Sequence, residues 1–142
     1  MVKRMRDIWK RLKYFNPKES WGDPERINPR LLILLDALRE YIKVPIIIHC
    51  GTQGKHSANS YHYKGMAVDC HAKGINLFDF YLAAERFYFT GIGVYPEWNN
   101  PGLHLDIRPC DVGCPQARWG RVDGEYVPLN SEFFKKYVPS KK

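Results

Sequence analysis

The stretch SYHYKGMAVD, residues 60–69, decides the fold, because it joins a polar, glycine-containing loop to a predicted strand. Polarity alternates over residues 65–72, with Met66, Val68 and Cys70 set against Ala67, Asp69 and His71. A period of two residues is typical of a β-strand with one polar face. His62 in the loop and Asp69 on the strand lie seven residues apart across a glycine, so their side chains can converge on one point.

A helix and a buried strand are predicted immediately before this loop. In NPRLLILLDALREYI, residues 28–42, Asn28 is a good N-cap and Pro29 suits the first helical position. The apolar residues that follow have helical spacing: Leu31, Leu34, Leu35, Leu38 and Ile42. VPIIIHCG, residues 44–51, is a short β-branched run that ends at glycine, which indicates a buried strand.

Helix and strand signals alternate in the rest of the chain. A second helix is predicted from an N-cap at Asn76 to a point before Gly91. Short strands follow at residues 91–96 (GIGVYP), 102–108 (GLHLDIR), 117–119 and 125–127, and the first two are joined by the turn-rich EWNNPG. The pattern predicts a single α+β domain with a mainly antiparallel sheet and flanking helices.

Composition and charge narrow the class of protein. The chain has 142 residues, about one domain's worth, and we divide it into a basic N-terminal segment 1–14, a domain 15–130 and a basic C-terminal tail 131–142. The formal charge of +7 favours polyanionic partners, and the basic ends are either solvated tails or a docking patch. No apolar run approaches the roughly 20 residues of a membrane helix. The N-terminus does not resemble a secretory signal, so we expect synthesis in the cytoplasm and no membrane insertion.

The four cysteines are predicted to be structural. They are Cys50, Cys70, Cys110 and Cys114, and we expect free thiols or one short-loop disulfide in CDVGC, residues 110–114. This motif lacks the two-residue spacing of zinc knuckles, and no second cysteine pair accompanies it. A metal site built on cysteine is therefore not expected.

Histidines and carboxylates supply a better set of metal ligands. A catalytic zinc ion needs three protein ligands and one open position. The side chains that qualify are His49, His56, His62, His71, His104, Asp69, Glu97 and Asp106. In LHLD, His104 and Asp106 point to one face of a strand while the leucines point to the other. Two strands with polar faces can therefore supply a three-ligand site.

Two motifs carry a resemblance to a known family. SYHYKGMAVD resembles the Ser-x-His-x-x-Gly-x-Ala-x-Asp motif of zinc D-Ala-D-Ala carboxypeptidases and related L-Ala-D-Glu endopeptidases, whose fold is shared with the hedgehog signalling domain. GIGVYPEWNNPGLHLDIR resembles the second motif of that family, and the likeness extends over residues 15–119. The resemblance implies one zinc ion held by His62, Asp69 and His104.

The resemblance also suggests roles for the neighbours of these ligands. Gly65 would allow the turn into the strand, Ala67 would keep space beside the metal, and Ser60 would orient His62 or its loop. Asp106 is predicted to hold His104 or to bind a substrate ammonium, and pairing with Arg108 as a surface carboxylate is the alternative.

The chain departs from the family at two positions that concern the reaction. Many relatives place an acidic residue three positions before the last histidine, where this chain has Pro101. We predict Glu97 as the general base instead, with Asp106 and His71 as alternatives. Gln53 stands in place of an arginine thought to stabilise the oxyanion, so Gln53, nearby Lys55 or the metal itself takes that role, or activity is weaker, or substrate preference differs.

The function that the resemblance implies is hydrolysis of amide bonds in peptidoglycan stem peptides, by a D-Ala-D-Ala carboxypeptidase or an endopeptidase. A phage or prophage lytic protein is one setting that it suggests, with the cell wall as the site of action. The cleft would be lined by Tyr61, Tyr63, Tyr95 and Trp98. The alternative is a zinc-stabilised cell-wall-binding or structural module without turnover. We expect a monomer that does not bind nucleic acid stably.

Overall fold

The computed structural model describes residues 7–56, 60–109 and 116–138. Its elements in chain order are α1 (Ile8–Arg11), a 3-10 helix (Pro24–Arg26), α2 (Pro29–Ile42), β1 (Ile46–Cys50), β2 (Ala67–Ala72), α3 (Leu77–Ala84), β3 (Gly91–Tyr95), β4 (Gly102–Asp106), β5 (Ala117–Val122), β6 (Glu125–Val127) and α4 (Ser131–Tyr137). Each predicted helix and strand has a counterpart among them. No described helix has both the length and the apolar character needed to cross a membrane.

The six strands form one sheet in the order β1-β2-β4-β3-β5-β6. Neighbouring strands are antiparallel except for β3 and β5, which are parallel. The prediction of an α+β fold with a mainly antiparallel sheet is therefore confirmed. The register at the centre of the sheet positions the site, because Asp69 of β2 lies opposite His104 of β4, and His104 lies opposite Gly93 of β3.

Helix α2 covers the apolar face of the sheet. The side chain of Asn28 accepts a hydrogen bond from the backbone N–H of Arg30, which caps the helix as predicted. Four leucines on one side of the helix have no exposed surface: Leu31, Leu32, Leu35 and Leu38. Each contributes roughly 1.5–3 kcal/mol by burial. They pack into one core with inward-facing sheet residues such as Val68, Leu103 and Leu105.

Both ends of the described chain also contact this core. Trp21 is fully buried and contacts the rings of Trp9 and Phe15. In α4, Phe133 is buried, and a Cβ at Gly120 would lie 2.3 Å from its ring, so β5 needs a glycine there. These helices lie at the predicted ends, 1–14 and 131–142, whose boundaries stay predictions. The predicted terminal charges at residues 3, 4, 6, 141 and 142 lie outside the described residues.

Two details differ from the sequence-based prediction. Helix α3 ends at Ala84 rather than continuing toward Gly91, because the chain turns there to bury Phe89 before β3 begins. Strand β5 continues to Val122, beyond the predicted end at residue 119, because it pairs with β6 over that length. Cys50 and Cys70 carry free thiols. Cys110 and Cys114, for which free thiols or a short-loop disulfide are expected, lie outside the described residues.

Candidate metal centre

His62, Asp69 and His104 meet at one point although they come from a loop and two strands. Asp69 Oδ1 lies 3.3 Å from His62 Nε2 and 3.2 Å from His104 Nδ1. One ligand atom from each of the three residues lies within 4.8 Å of the others, which is close enough to share an ion. The two imidazole rings meet edge to face at 73°, so their nitrogen lone pairs can converge.

A glycine turn brings the His62 loop against the start of α2. Gly65 has a φ of 72°, and a Cβ at this position would lie 1.8 Å from the carbonyl oxygen of Arg26. The Gly65 carbonyl accepts a hydrogen bond of 2.8 Å from the backbone N–H of Asn28. Ser60 Oγ accepts one of 3.2 Å from the backbone N–H of His62, so Ser60 helps to hold the loop. The turn thus fixes where His62 enters the site.

Hydrogen bonds on the far side of each imidazole fix which nitrogen faces the centre. His62 Nδ1 donates to the carbonyl oxygen of Gly51 at 2.9 Å, and His104 Nε2 donates to Asp106 Oδ2 at 2.7 Å. The proton on each of these nitrogens leaves His62 Nε2 and His104 Nδ1 free to bind a cation. Such partners orient histidine ligands and increase their basicity in metal sites.

Asp106 is a buried anchor for His104 and does not reach the cleft. Its side chain is fully buried and also accepts hydrogen bonds from Arg108, with Nη2 at 2.6 Å and Nε at 3.0 Å. Burial opposes its ionisation, but the hydrogen bonds from His104 and Arg108 are stronger and hold the pKa of Asp106 well below its usual range. Gly91 makes room for this carboxylate, since a Cβ there would lie 2.3 Å from both oxygens.

The negatively charged carboxylate of Asp69 lies between the basic imidazole rings of His62 and His104. Burial opposes protonation of His62, but hydrogen bonds with Asp69 and Cys50 outweigh it and raise the pKa of His62 to about 9. Burial likewise opposes ionisation of Asp69, but hydrogen bonds from His104 and His62 lower its pKa to about 2. A proton on His62 Nε2 therefore competes with a cation for this nitrogen.

An open cleft of about 690 Å³ is lined by the three residues, although His62 and His104 are largely buried. The cleft is also lined by the predicted substrate-binding residues Lys55, Ser60, Tyr61, Tyr95 and Trp98, together with His56, Arg108, Trp119 and Tyr126. Tyr63, which is also predicted to line it, does not. Tyr95 and Trp98 are stacked with their ring centroids 4.3 Å apart and form one wall. Lys55 and Arg108 are the two cationic side chains among the described residues that line this cleft.

Glu97, the predicted general base, is not brought to this cleft. It is exposed on the turn after β3, and its Oε1 accepts a hydrogen bond of 2.9 Å from the backbone N–H of Asp123. His71, one of the alternative bases, contacts His49 beyond the cleft and lines a separate groove. The other alternative, Asp106, is buried behind His104. Their roles in the reaction stay predictions.

Gln53 lies behind His62 rather than in the cleft. Its Nε2 donates to the carbonyl oxygen of Ser20 at 2.8 Å, and its Oε1 accepts from the backbone N–H of Gly51 at 2.7 Å. Because the Gly51 carbonyl accepts the hydrogen bond from His62, the Gln53 amide helps to position His62 through the backbone of Gly51. Neither end of the amide is directed to the cleft as the predicted oxyanion donor would require.

Sequence reasoning missed the contribution of Arg108, Trp119 and Tyr126 to the cleft. Arg108 follows His104 and Asp106 at two-residue spacing, so the alternation that placed those residues on one face could have included it. Its guanidinium carbon lies 4.9 Å from the Tyr61 ring centroid and 5.2 Å from that of Trp119. For Tyr126, on the edge strand β6, the sequence offers no comparable signal.

Comparison with known proteins supports the resemblance seen in the two motifs. The family model Peptidase_M15_2, described as peptidoglycan L,D-endopeptidase MepK, matches residues 46–112. This match spans β1 through β4, just under half of the chain, and includes His62, Asp69 and His104. The resemblance to zinc D-Ala-D-Ala carboxypeptidase-like M15 peptidases is thereby confirmed. No curated protein matches the chain.

Proposed function

Because residues 46–112 match the M15 peptidases, we propose that the protein is a zinc-dependent endopeptidase that hydrolyses amide bonds in the peptide stems of peptidoglycan. The observation that carries the proposal is the convergence of His62, Asp69 and His104 within an open cleft. We further propose that the protein acts at the cell wall.

The described residues suit a catalytic zinc ion. Two imidazole nitrogens and one carboxylate oxygen form the three-ligand set typical of such sites, and the cleft leaves a position for water or substrate. The zinc ion, when bound, supplies Lewis-acid chemistry that polarises the scissile carbonyl and activates water. The protein contributes the orientation of both rings through Gly51 and Asp106.

The charge and shape of the cleft suit an anionic peptide. Stem peptides carry free carboxylates, and Lys55 and Arg108 supply positive charge beside the metal ligands. The aromatic side chains Tyr61, Tyr95, Trp98 and Trp119 supply apolar walls for the aliphatic parts of the peptide. Arg108 is held by Asp106 and lies over two of these rings, so it presents its charge with little loss of side-chain entropy.

Cleavage within a peptide is favoured over removal of a terminal residue, because the surface continues past the metal ligands. A second depression, lined by His49, Asp69, Trp98, Asn99 and Asn100, adjoins the cleft at Asp69 and Trp98. A substrate can therefore extend on both sides of the scissile bond. The matching family is described as an L,D-endopeptidase, and we propose the same bond class for this chain.

We propose His56 as the proton acceptor in place of Glu97. Among the described residues that line the cleft, Asp69 is the one carboxylate and His56 is the one imidazole outside the ligand set. His56 Nε2 lies 2.9 Å from the Gln53 carbonyl oxygen and donates to it, which leaves Nδ1 unprotonated in the neutral ring. Imidazole is the commonest general base in enzymes.

The test is hydrolysis of purified peptidoglycan before and after removal of metal with a chelator, followed by zinc restoration. An endopeptidase converts cross-linked dimers to monomers, whereas a carboxypeptidase releases free D-alanine, and mass spectrometry separates the two outcomes. Asp69→Asn should abolish the activity, and Asp79→Asn, an exposed aspartate on α3, is the matched control. If zinc binds but no new amine is released, the protein is instead a zinc-stabilised module without turnover.

A further inference from the structure

Cys50, His56 and His62 form a second group that can hold a cation, contrary to the expectation that cysteine takes no part in metal binding. One ligand atom from each residue lies within 4.8 Å of the others. Cys50 Sγ lies 3.5 Å from His56 Nε2, and the rings of His56 and His62 are stacked with centroids 4.1 Å apart. A thiolate and two imidazoles are a typical ligand set for zinc and for softer cations.

The fold builds this group with an irregular strand and a tied loop. The pairing of β1 with β2 shifts between Ile48 and Cys50, and the shift places Cys50 opposite the metal ligand Asp69. The loop after Cys50 is fastened by Tyr63, whose hydroxyl accepts a hydrogen bond of 2.7 Å from the backbone N–H of His56. A Cβ at Gly54 would lie 3.4 Å from His56 Nε2 and 3.7 Å from Cys50 Sγ, so the loop curls closely over the thiol.

His62 belongs to both groups, and this makes them alternatives. Its Nδ1 donates to the Gly51 carbonyl, so Nε2 is the single nitrogen that can bind a cation. We propose that the protein has a second metal position formed by Cys50, His56 and His62, which an ion occupies in exchange for the position at Asp69 and His104. This inference goes beyond the proposed function, because it concerns where an ion binds rather than what is hydrolysed.

Ring geometry ranks the two positions. The imidazoles of His62 and His104 meet at 73°, whereas those of His56 and His62 are almost parallel, at 7°. An ion in the plane of one stacked ring lies outside the plane of the other, so the second position requires one ring to rotate. It also requires the Cys50 thiol to lose the proton that it donates to the Gln53 carbonyl at 3.0 Å, and His56 Nε2 to give up its hydrogen bond to the same carbonyl. The position at Asp69 and His104 is therefore filled first by zinc, and thiophilic cations such as Cd²⁺ favour the position at Cys50.

Occupation of the second position would withdraw the cation from Asp69 and His104. It would also engage His56, the side chain that we propose as the proton acceptor. An ion at Cys50 would thus stay bound to the protein but would lie away from the position at Asp69 and His104, where it could polarise the carbonyl of a substrate.

Cobalt binding tests this proposal without any measurement of hydrolysis, because a thiolate–Co²⁺ bond gives an intense charge-transfer absorption in the near ultraviolet. All proteins carry Cys110→Ser and Cys114→Ser, so that Cys50 and Cys70 are the remaining thiols. Asp69→Asn and His104→Ala, which damage the first position, should each increase the band at one equivalent of Co²⁺. Cys50→Ser should abolish it, and Cys70→Ala, which removes a fully buried thiol, should leave it unchanged.

Circular dichroism and thermal melts establish that each variant is folded. A Cd²⁺ titration of the parent protein tests the same position while Asp69 and His104 are both intact. The expected result is a thiolate–Cd²⁺ band that depends on Cys50 and saturates at one equivalent. A band that survives Cys50→Ser, or Co²⁺ binding to folded Asp69→Asn and His104→Ala proteins without a band, would overturn the proposal. Simultaneous binding of two ions would contradict the exchange of one ion between the positions.

Discussion

Replacement of Asp106 by asparagine tests how the buried carboxylate supports the metal centre. Asp106 accepts a hydrogen bond of 2.7 Å from His104 Nε2 and pairs with Arg108 at 2.6 Å, with no exposed surface of its own. Asparagine has nearly the same shape, so Asp106→Asn removes the charge and little of the packing. The carboxylate increases the basicity of His104 Nδ1, and an amide does this much less.

The expected loss has two parts that can be measured separately. Loss of a partner behind a histidine ligand lowers metal affinity by about 10- to 100-fold, which corresponds to about 1.4 to 2.7 kcal/mol. Breaking a buried ion pair costs about 3 to 5 kcal/mol of folding free energy when the remaining charge is buried. The Arg108 side chain has 30% relative solvent exposure, so its charge is only partly buried. The loss of folding free energy in Asp106→Asn should therefore be about 3 kcal/mol or less.

Zinc affinity is measured by competition with a chromophoric chelator, and stability by denaturant unfolding of the metal-free protein. Glu85→Gln is the matched control, because Glu85 pairs with Arg118 at 2.8 Å in a partly buried bridge that does not line the cleft. We expect the control to lose stability but to keep its zinc affinity. The reasoning is refuted if Asp106→Asn binds zinc within about twofold of the parent protein, since the typical effect of such a partner is at least about tenfold.

Three further predictions follow from the site. The pKa of His62 is raised to about 9 and that of His104 is also raised, so zinc affinity should fall at least about tenfold per pH unit below pH 9 as protons compete for the two nitrogens. The contribution of His62 to the stability of the metal-free protein should change in the opposite sense: it is fully present below about pH 6.5 and lost as the pH rises through 9, and unfolding at a series of pH values with chelator checks the sign. Gly91→Ala places a Cβ 2.3 Å from both carboxyl oxygens of Asp106, so denaturant unfolding should show a loss of about 1–3 kcal/mol and the chelator assay a weaker affinity for zinc; unchanged values would mean that the strand yields freely. His56→Asn should lower kcat about 100-fold or more while Glu97→Gln changes it little, and the reverse result on peptidoglycan would restore Glu97 as the base.

The convergence of His62, Asp69 and His104 could be predicted from the sequence, because the family motifs select these three residues and local periods place them. Alternation along residues 65–72 and 102–108 determines which side chains share a face, and antiparallel pairing then brings Asp69 opposite His104. The glycine between His62 and Asp69 signals the turn that brings the loop back. The capping residues Asn28 and Asn76 mark both helix starts for the same local reason.

The unpredicted parts depend on contacts between distant segments. Glu97 is held by a backbone N–H 26 residues later, on the hairpin between β5 and β6, and no local pattern encodes that partner. The Gln53 amide bonds to Ser20, 33 residues earlier, so its position in a familiar motif gives no indication of where it points. The irregular pairing of β1 places the Cys50 thiol near His56, and the apolar sequence of β1 gives no sign of that irregularity.

The geometry of the candidate metal centre depends on strand β3 of the sheet. It supplies no ligand, yet it lies against β4 with Gly91 opposite Asp106 and Gly93 opposite His104. A Cβ at Gly93 would lie 2.5 Å from the indole of Trp119, just as one at Gly91 would meet Asp106. The two glycines therefore give space to the anchor of one ligand and to a wall of the cleft. A slip of one residue in this pairing would turn the β3 glycines away from both side chains, so the register that buries the core also determines whether His104 can face a cation.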